Sequence, residues 1–177
     1  MAMANVHIEM FFDKDSATFS YVVSDTISGS AAIIDPVLNY DAAAGQVSTE
    51  DADRILAYLR ENNLSAVWIL ETHAHADHVS AAHYLHQQTG APVAIGEGIK
   101  KVQQTFKLVF NIGDDELMAN GDYFDKLFAD NESFSIGGLQ ATVINTPGHT
   151  NDSVSYLIAG NLFVGDSLFM PDSGTAR

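Results

Sequence analysis

Three histidines and an aspartate fall within six residues, His73-Ala74-His75-Ala76-Asp77-His78, immediately behind the apolar run Ala66-Val67-Trp68-Ile69-Leu70. Few folds accommodate both halves at once. The run has the unbroken apolar character of a strand covered on both faces. The polar segment therefore emerges at a strand's carboxyl end, where α/β proteins collect their ligand sites. In extended backbone, side chains two residues apart point the same way, which aligns His73 with His75. Imidazole and carboxylate together are donors for borderline and hard divalent metals. The segment predicts a metal site on the rim of a sheet.

Two later segments have the same form. Thr146-Pro147-Gly148-His149-Thr150 follows a predicted strand over residues 139–145, and its Pro-Gly turn presents His149. Gly165-Asp166-Ser167 follows another over residues 162–164, placing a short carboxylate at the same kind of edge. Further strands are expected at residues 6–12, 19–24, 31–34, 66–70, 92–95, 134–136 and 154–158. Helices are expected at residues 48–61, 79–89 and 102–110. The first has Ser48 as N-cap and an apolar stripe of Ala52, Ile55, Leu56 and Leu59; the second is closed by Gly90. Residues 39–47 and 111–131 read as loops. Strands, then alternating strand and helix, then strands again indicate a layered α/β domain spanning residues 1–177.

Composition narrows the function classes. A formal charge of −15 disfavours nucleic acid and anionic membrane surfaces, both of which call for clustered Lys and Arg. An anionic substrate would need a local positive centre such as a bound cation. The absence of cysteine removes disulfides, thiolate ligands and Cys nucleophiles from this segment. Residues 1–10 lack a basic stretch followed by an apolar core, and no apolar run approaches the roughly 20 residues that span a bilayer. A soluble, cytoplasmic protein is expected.

The motif set resembles the metallo-β-lactamase-fold superfamily, whose H-x-H-x-D-H, later His and later Asp appear as His73, His75, Asp77, His78, His149 and Asp166. Ile33-Ile34-Asp35-Pro36-Val37, Glu71 to His78, residues 146–150 and Phe163-Val164-Gly165-Asp166-Ser167-Leu168 resemble its persulfide dioxygenase branch, typified by the ethylmalonic encephalopathy protein and related to glyoxalase II. The resemblance implies an αββα sandwich. It also implies further C-terminal strands and helices, missing from a chain that ends at Arg177. An uncovered sheet edge of that kind favours association, so a homodimer is possible.

Two site models follow from the resemblance. In the dioxygenase pattern His73, His149 and Asp166 hold one Fe(II) per chain and carry catalysis, with open positions for substrate and O₂. His75, Asp77 and His78 then support those ligands from behind. The substrate is glutathione persulfide, oxidised to sulfite and glutathione. Arg177, in a segment similar to one near the family's substrate pocket, is placed to bind a glutathione carboxylate. In the glyoxalase II-like pattern two Zn²⁺ ions are bound. His73, His75 and His149 hold one, Asp77, His78 and a later histidine hold the other, and Asp166 bridges them. No histidine follows Asp166 here, which favours the iron pattern. An inactive metal-binding domain is the remaining alternative.

Other residues read as structural. His83 and His86 lie one turn apart on a partly exposed helix, and His7 is a strand residue. Asp35 is a turn former before Pro that supports the loops beneath the metal, Trp68 packs in the core, and the acids between Asp114 and Glu132 are a solvated surface.

Overall fold

Period-two alternation shapes the start of the chain. β1 (Val6–Asp13) and β2 (Thr18–Asp25) pair antiparallel in unbroken register from Val6↔Asp25 to Asp13↔Thr18. The computed structural model describes residues 5–169 and 173–175. These fall into two units, one built from Met1–Glu71, His75–Val93 and Ser135–Gln140, the other from Thr72–Ala74, Ala94–Phe134 and Ala141–Arg177.

In the first unit, β3 (Ser30–Ile34) pairs antiparallel with β2. β4 (Val37–Asp41) and β5 (Gln46–Ser48) form a hairpin, and α1 (Glu50–Glu61) returns the chain to β6 (Ser65–Leu70), which runs parallel to β3. A parallel neighbour requires such a crossover. Ala52, Ile55, Leu56 and Leu59 are the buried side chains of α1, as their spacing predicts. β7 (Val79–Ser80) pairs with β4, and α2 (Ala82–Thr89) ends at Gly90 in the left-handed conformation.

In the second unit, β8 (Val93–Gly96) leads into α3 (Ile99–Phe110), and β9 (Lys126–Phe128) pairs in parallel with β8. β10 (Ser133–Ile136) and β11 (Leu139–Asn145) follow, with their connecting turn lying in the first unit. β11, β12 (Val154–Ile158) and β13 (Asn161–Phe163) make an antiparallel meander. Its core is aromatic: Phe128 and Phe134 stack with centroids 4.8 Å apart, and buried Tyr156 meets both edge-on. Among the described residues no helix is long and apolar enough to cross a membrane.

Several expectations are corrected. Residues 39–47 are a hairpin rather than a loop, because Asp41 Oδ1 accepts from the amides of Ala43 and Ala44 and folds β4 back on β5. Thr49, not Ser48, precedes α1, since Ser48 is committed to the ladder opposite Asn39. The second helix starts at Ala82, as Val79 and Ser80 pair with β4. The third begins earlier than expected, at Ile99. Trp68 is only half-buried, and its indole N–H donates to the Ser135 carbonyl at 3.1 Å. In β6 the two-sided burial is confined to Ile69 and Leu70.

Candidate metal centre

Beyond β6 the backbone turns polar but stays buried through Glu71, Thr72 and His73. In the second unit this segment is held by its neighbours. Val154 N–H donates to the Thr72 carbonyl, and Ala74 N–H donates to Asp152 Oδ2, each at 2.9 Å. Asp152 is buried, and its Oδ1 has no hydrogen-bond partner among the described residues. The close approach requires glycine nearby: a Cβ on Gly98 would sit 2.9 Å from Asp152 Cα. Gly165 likewise has φ of +50°, and a Cβ there would collide with the Thr72 hydroxyl. That glycine brings the single 3₁₀ turn at Gly165–Ser167 against Thr72 and places Asp166 beside His73.

His149 arrives from the other side, on the Pro-Gly turn after β11, where Thr146 N–H donates to the Ser153 carbonyl at 2.9 Å. The result is a triad. Asp166 Oδ2 lies 3.4 Å from His149 Nε2 and 3.9 Å from His73 Nε2, and the two rings meet edge-to-face with centroids 4.9 Å apart. One ligand atom from each residue falls within 4.8 Å of the others. His73 is enclosed at 1% side-chain exposure, whereas His149 and Asp166 keep 30% and 28%, so the triad is walled on one side and open on the other.

Thr175 orients the His149 ring. Its hydroxyl donates to the Asp166 carbonyl and lies 2.9 Å from His149 Nδ1. With the hydroxyl proton spent, Nδ1–H is the donor, and the ring turns Nε2 toward the Asp166 carboxylate. This donor set fits a divalent metal, and His73, His149 and Asp166 would hold it.

The first unit carries a different cluster. His75 Nε2 lies 3.1 Å from both Asp35 Oδ1 and Glu71 Oε2, and Ser80 Oγ donates to Glu71 Oε1. Burial works against charging His75, but the two carboxylates outweigh it and raise its pKa to about 11. Asp35 reaches this position through a left-handed backbone (φ +48°), with its amide bonded to the Leu70 carbonyl and its own carbonyl accepting from Ser20. Beside it, the His78 ring lies 4.2 Å from that of His75, and Asp77 Oδ1 is 3.4 Å from His78 Nδ1. His78 Nε2 is buried without a hydrogen-bond partner among the described residues. His75, Asp77 and His78 also offer ligand atoms within 4.8 Å of one another.

The predicted residues thus assemble as two groups, one in each unit. His86 is engaged by the Ala91 carbonyl, and His83 and His7 stand on the surface. Arg177 lies outside the described residues. Sequence reading assigned no role to Glu71 or Asp152. The signal for Glu71 was an acid at the end of an apolar strand; Asp152 follows the His149 turn with no distinguishing spacing.

The Metallo-beta-lactamase superfamily model matches residues 13–177. The chain is 52% identical over 172 residues to a Dictyostelium discoideum protein named glyoxylase B2, covering 96% of this chain and 59% of that one. It is 46% identical over 176 residues to a beta-lactamase hydrolase-like protein of Xylella fastidiosa, covering 99% of this chain and 40% of the relative. Among solved structures, ETHE1 from Myxococcus xanthus superposes with a TM-score of 0.71 at 27% identity, over 97% of this chain and 64% of that one. The chain therefore spans 59% and 40% of the two curated relatives. With its mixed α/β architecture and its His/Asp clusters, the chain belongs to the metallo-beta-lactamase superfamily, a metal-binding fold.

Proposed function

We propose that the protein is a sulfur dioxygenase that oxidises glutathione persulfide to sulfite and glutathione at a single iron held by His73, His149 and Asp166. The observation that carries this reading is the triad itself: two imidazoles and one carboxylate, closed on one side and open on the other. That is the donor set of non-haem Fe(II) oxygenases. Two further supports are the motif resemblance to persulfide dioxygenases and the likeness to the Myxococcus ETHE1. A ferrous ion held there would supply the O₂ chemistry, in the balance GSSH + O₂ + H₂O → GSH + SO₃²⁻ + 2H⁺.

The chain's own residues supply position and charge. Thr175 holds His149 through Nδ1 so that Nε2 faces the centre, and Asp166 offers the carboxylate donor. Thr72, 2.9 Å from His73 Nδ1, orients the enclosed ring so that Nε2 faces Asp166. The open side leaves room for a thiol-derived substrate, and Arg177 is the proposed partner for a glutathione carboxylate.

A second reading has one specific observation in its favour. The buried Nε2 of His78, together with Asp77 and His75, offers a second ligand group, as a dinuclear zinc hydrolase of hydroxyacylglutathione would need. Elemental analysis of anaerobically purified protein, paired with O₂ uptake on glutathione persulfide, separates the two. One iron and rapid uptake support the dioxygenase. Two zincs, no uptake and hydrolysis of S-lactoylglutathione overturn it.

A further inference from the structure

His73 is bracketed by two hydrogen bonds, one to each of its chain neighbours. The Thr72 carbonyl accepts from Val154 N–H, and Ala74 N–H donates to Asp152 Oδ2, each at 2.9 Å. The first bond is main chain to main chain and asks nothing of the side chains. The second exists only because residue 152 carries a short acceptor. Asp152 also belongs to the turn that presents His149. There Thr146 N–H donates to the Ser153 carbonyl, and the Ser153 hydroxyl accepts from Thr150 N–H at 3.1 Å and lies 2.7 Å from the Thr150 hydroxyl. One side chain thus ties the segment carrying one histidine of the triad to the segment carrying the other.

The carboxylate does this from a place where an acid is hard to keep. Asp152 is 2% exposed, and its Oδ1 has no hydrogen-bond partner among the described residues. Burying a half-satisfied carboxylate is unfavourable, and a turn residue has no need of it. What lies against Asp152 is the start of α3. A Cβ on Gly98, the residue before that helix, would sit 2.9 Å from Asp152 Cα and 3.2 Å from its Cβ. The first turn of α3 contains no acid of its own, so Asp152 supplies the negative charge that this end of the helix dipole favours.

We propose that Asp152 is a positioning residue for the metal centre. From its seat against the α3 N-terminus it fixes the Ala74 amide, and through it the His73 backbone, so that His73 Nε2 meets the ligand atoms of His149 and Asp166. Without an acceptor at residue 152, Thr72 stays pinned while Ala74 is released, and the His73 ring loses its set angle. This role rests on the reading of His73, His149 and Asp166 as the metal centre, and not on the reaction performed there.

Co²⁺ titrated into the metal-free full chain reads position and affinity together, through its visible ligand-field bands and through competition with a chelator. Asp152→Ala should weaken affinity about 10- to 100-fold and change the bands. Asp152→Asn, whose side-chain carbonyl still accepts from Ala74 N–H, should recover the wild-type bands and most of the affinity. Gly98→Ala, whose Cβ presses on Asp152, should fall between the two. Ile158→Ala, at a fully buried position in β12, controls for lost stability: it should lower the urea midpoint and leave the bands unchanged. Wild-type bands and affinity in Asp152→Ala overturn the proposal, as do altered bands in Ile158→Ala. A loss as large in Asp152→Asn as in Asp152→Ala also overturns it and assigns the effect to charge alone. If Asp152→Ala does not fold, Gly98→Ala carries the same test, and wild-type binding there overturns the proposal. No substrate is present, so a failure of O₂ uptake would sink the dioxygenase reading without touching these shifts.

Discussion

The triad in the second unit and the His75 cluster in the first are both made of imidazole and carboxylate, yet in opposite proportion. In the first unit one imidazole faces two carboxylates at 3.1 Å, and against the opposing effect of burial they raise its pKa to about 11. In the second, two imidazoles face one carboxylate, and Thr175 takes the His149 proton on the far nitrogen. Both clusters offer ligand atoms that could hold a metal, and the ratio of imidazole to carboxylate, rather than the residue types, is what distinguishes them.

Predictions that break or sharpen this contrast can be ordered by size. Asp166→Asn removes the one anionic donor of the triad, and both bound metal and turnover should fall on the order of 1000-fold. Elemental analysis and O₂ uptake read this directly, and a variant that keeps its metal breaks the contrast from the side of the second unit.

His75→Ala attacks the other side. It leaves two buried carboxylates without a cation, a change that costs about 3–5 kcal/mol by analogy with other broken buried pairs. Urea titration should show that loss of stability, while refolded protein retains at least one equivalent of metal. If metal vanishes instead and stability holds, His75 is a ligand and the two clusters are not different in kind.

Thr175→Val is a smaller step. Losing the hydroxyl that receives the His149 proton should weaken metal affinity about 10- to 100-fold, and Thr175→Ser should restore it. Competition against a chelator measures both.

Least of all is the effect of pH on an acid held without any imidazole. The Gly138 amide first, then the Ser28 hydroxyl and the Ile27 amide, hold the Asp25 carboxyl below its ordinary 3.8. A folded pKa below the unfolded one adds stability that is present above the unfolded value and lost as pH falls through the folded one. Acid unfolding should therefore lose this contribution only below pH 3.8, and Asp25→Asn should flatten that limb of the curve.

The parts of this fold that repeat with a period were legible in advance. The stripe on α1, the strands at residues 139–145 and 154–158, and the Ala159-Gly160 turn depend on local alternation and local turn chemistry. The misread parts depend on partners distant in sequence. Val79 and Ser80 form a strand only because β4 lies beside them, and Trp68 leaves the core because a carbonyl 67 residues away takes its N–H.

The same division runs through the site. His73, His75, Asp77, His78, His149 and Asp166 could be named from residue type and spacing, since metal donors are few and rarely cluster by chance. Spacing did not say which of them share a centre; the resemblance implied the grouping of His73, His149 and Asp166. Its physical basis is Gly165 admitting Asp166 beside Thr72, Asp35 and Glu71 engaging His75, and Thr175 orienting the His149 ring. Sequence carries the identity of the donors because chemistry resides in side chains. Only tertiary structure divides them into groups, because a lone pair becomes a ligand or a hydrogen-bond acceptor according to what stands within about 3 Å of it.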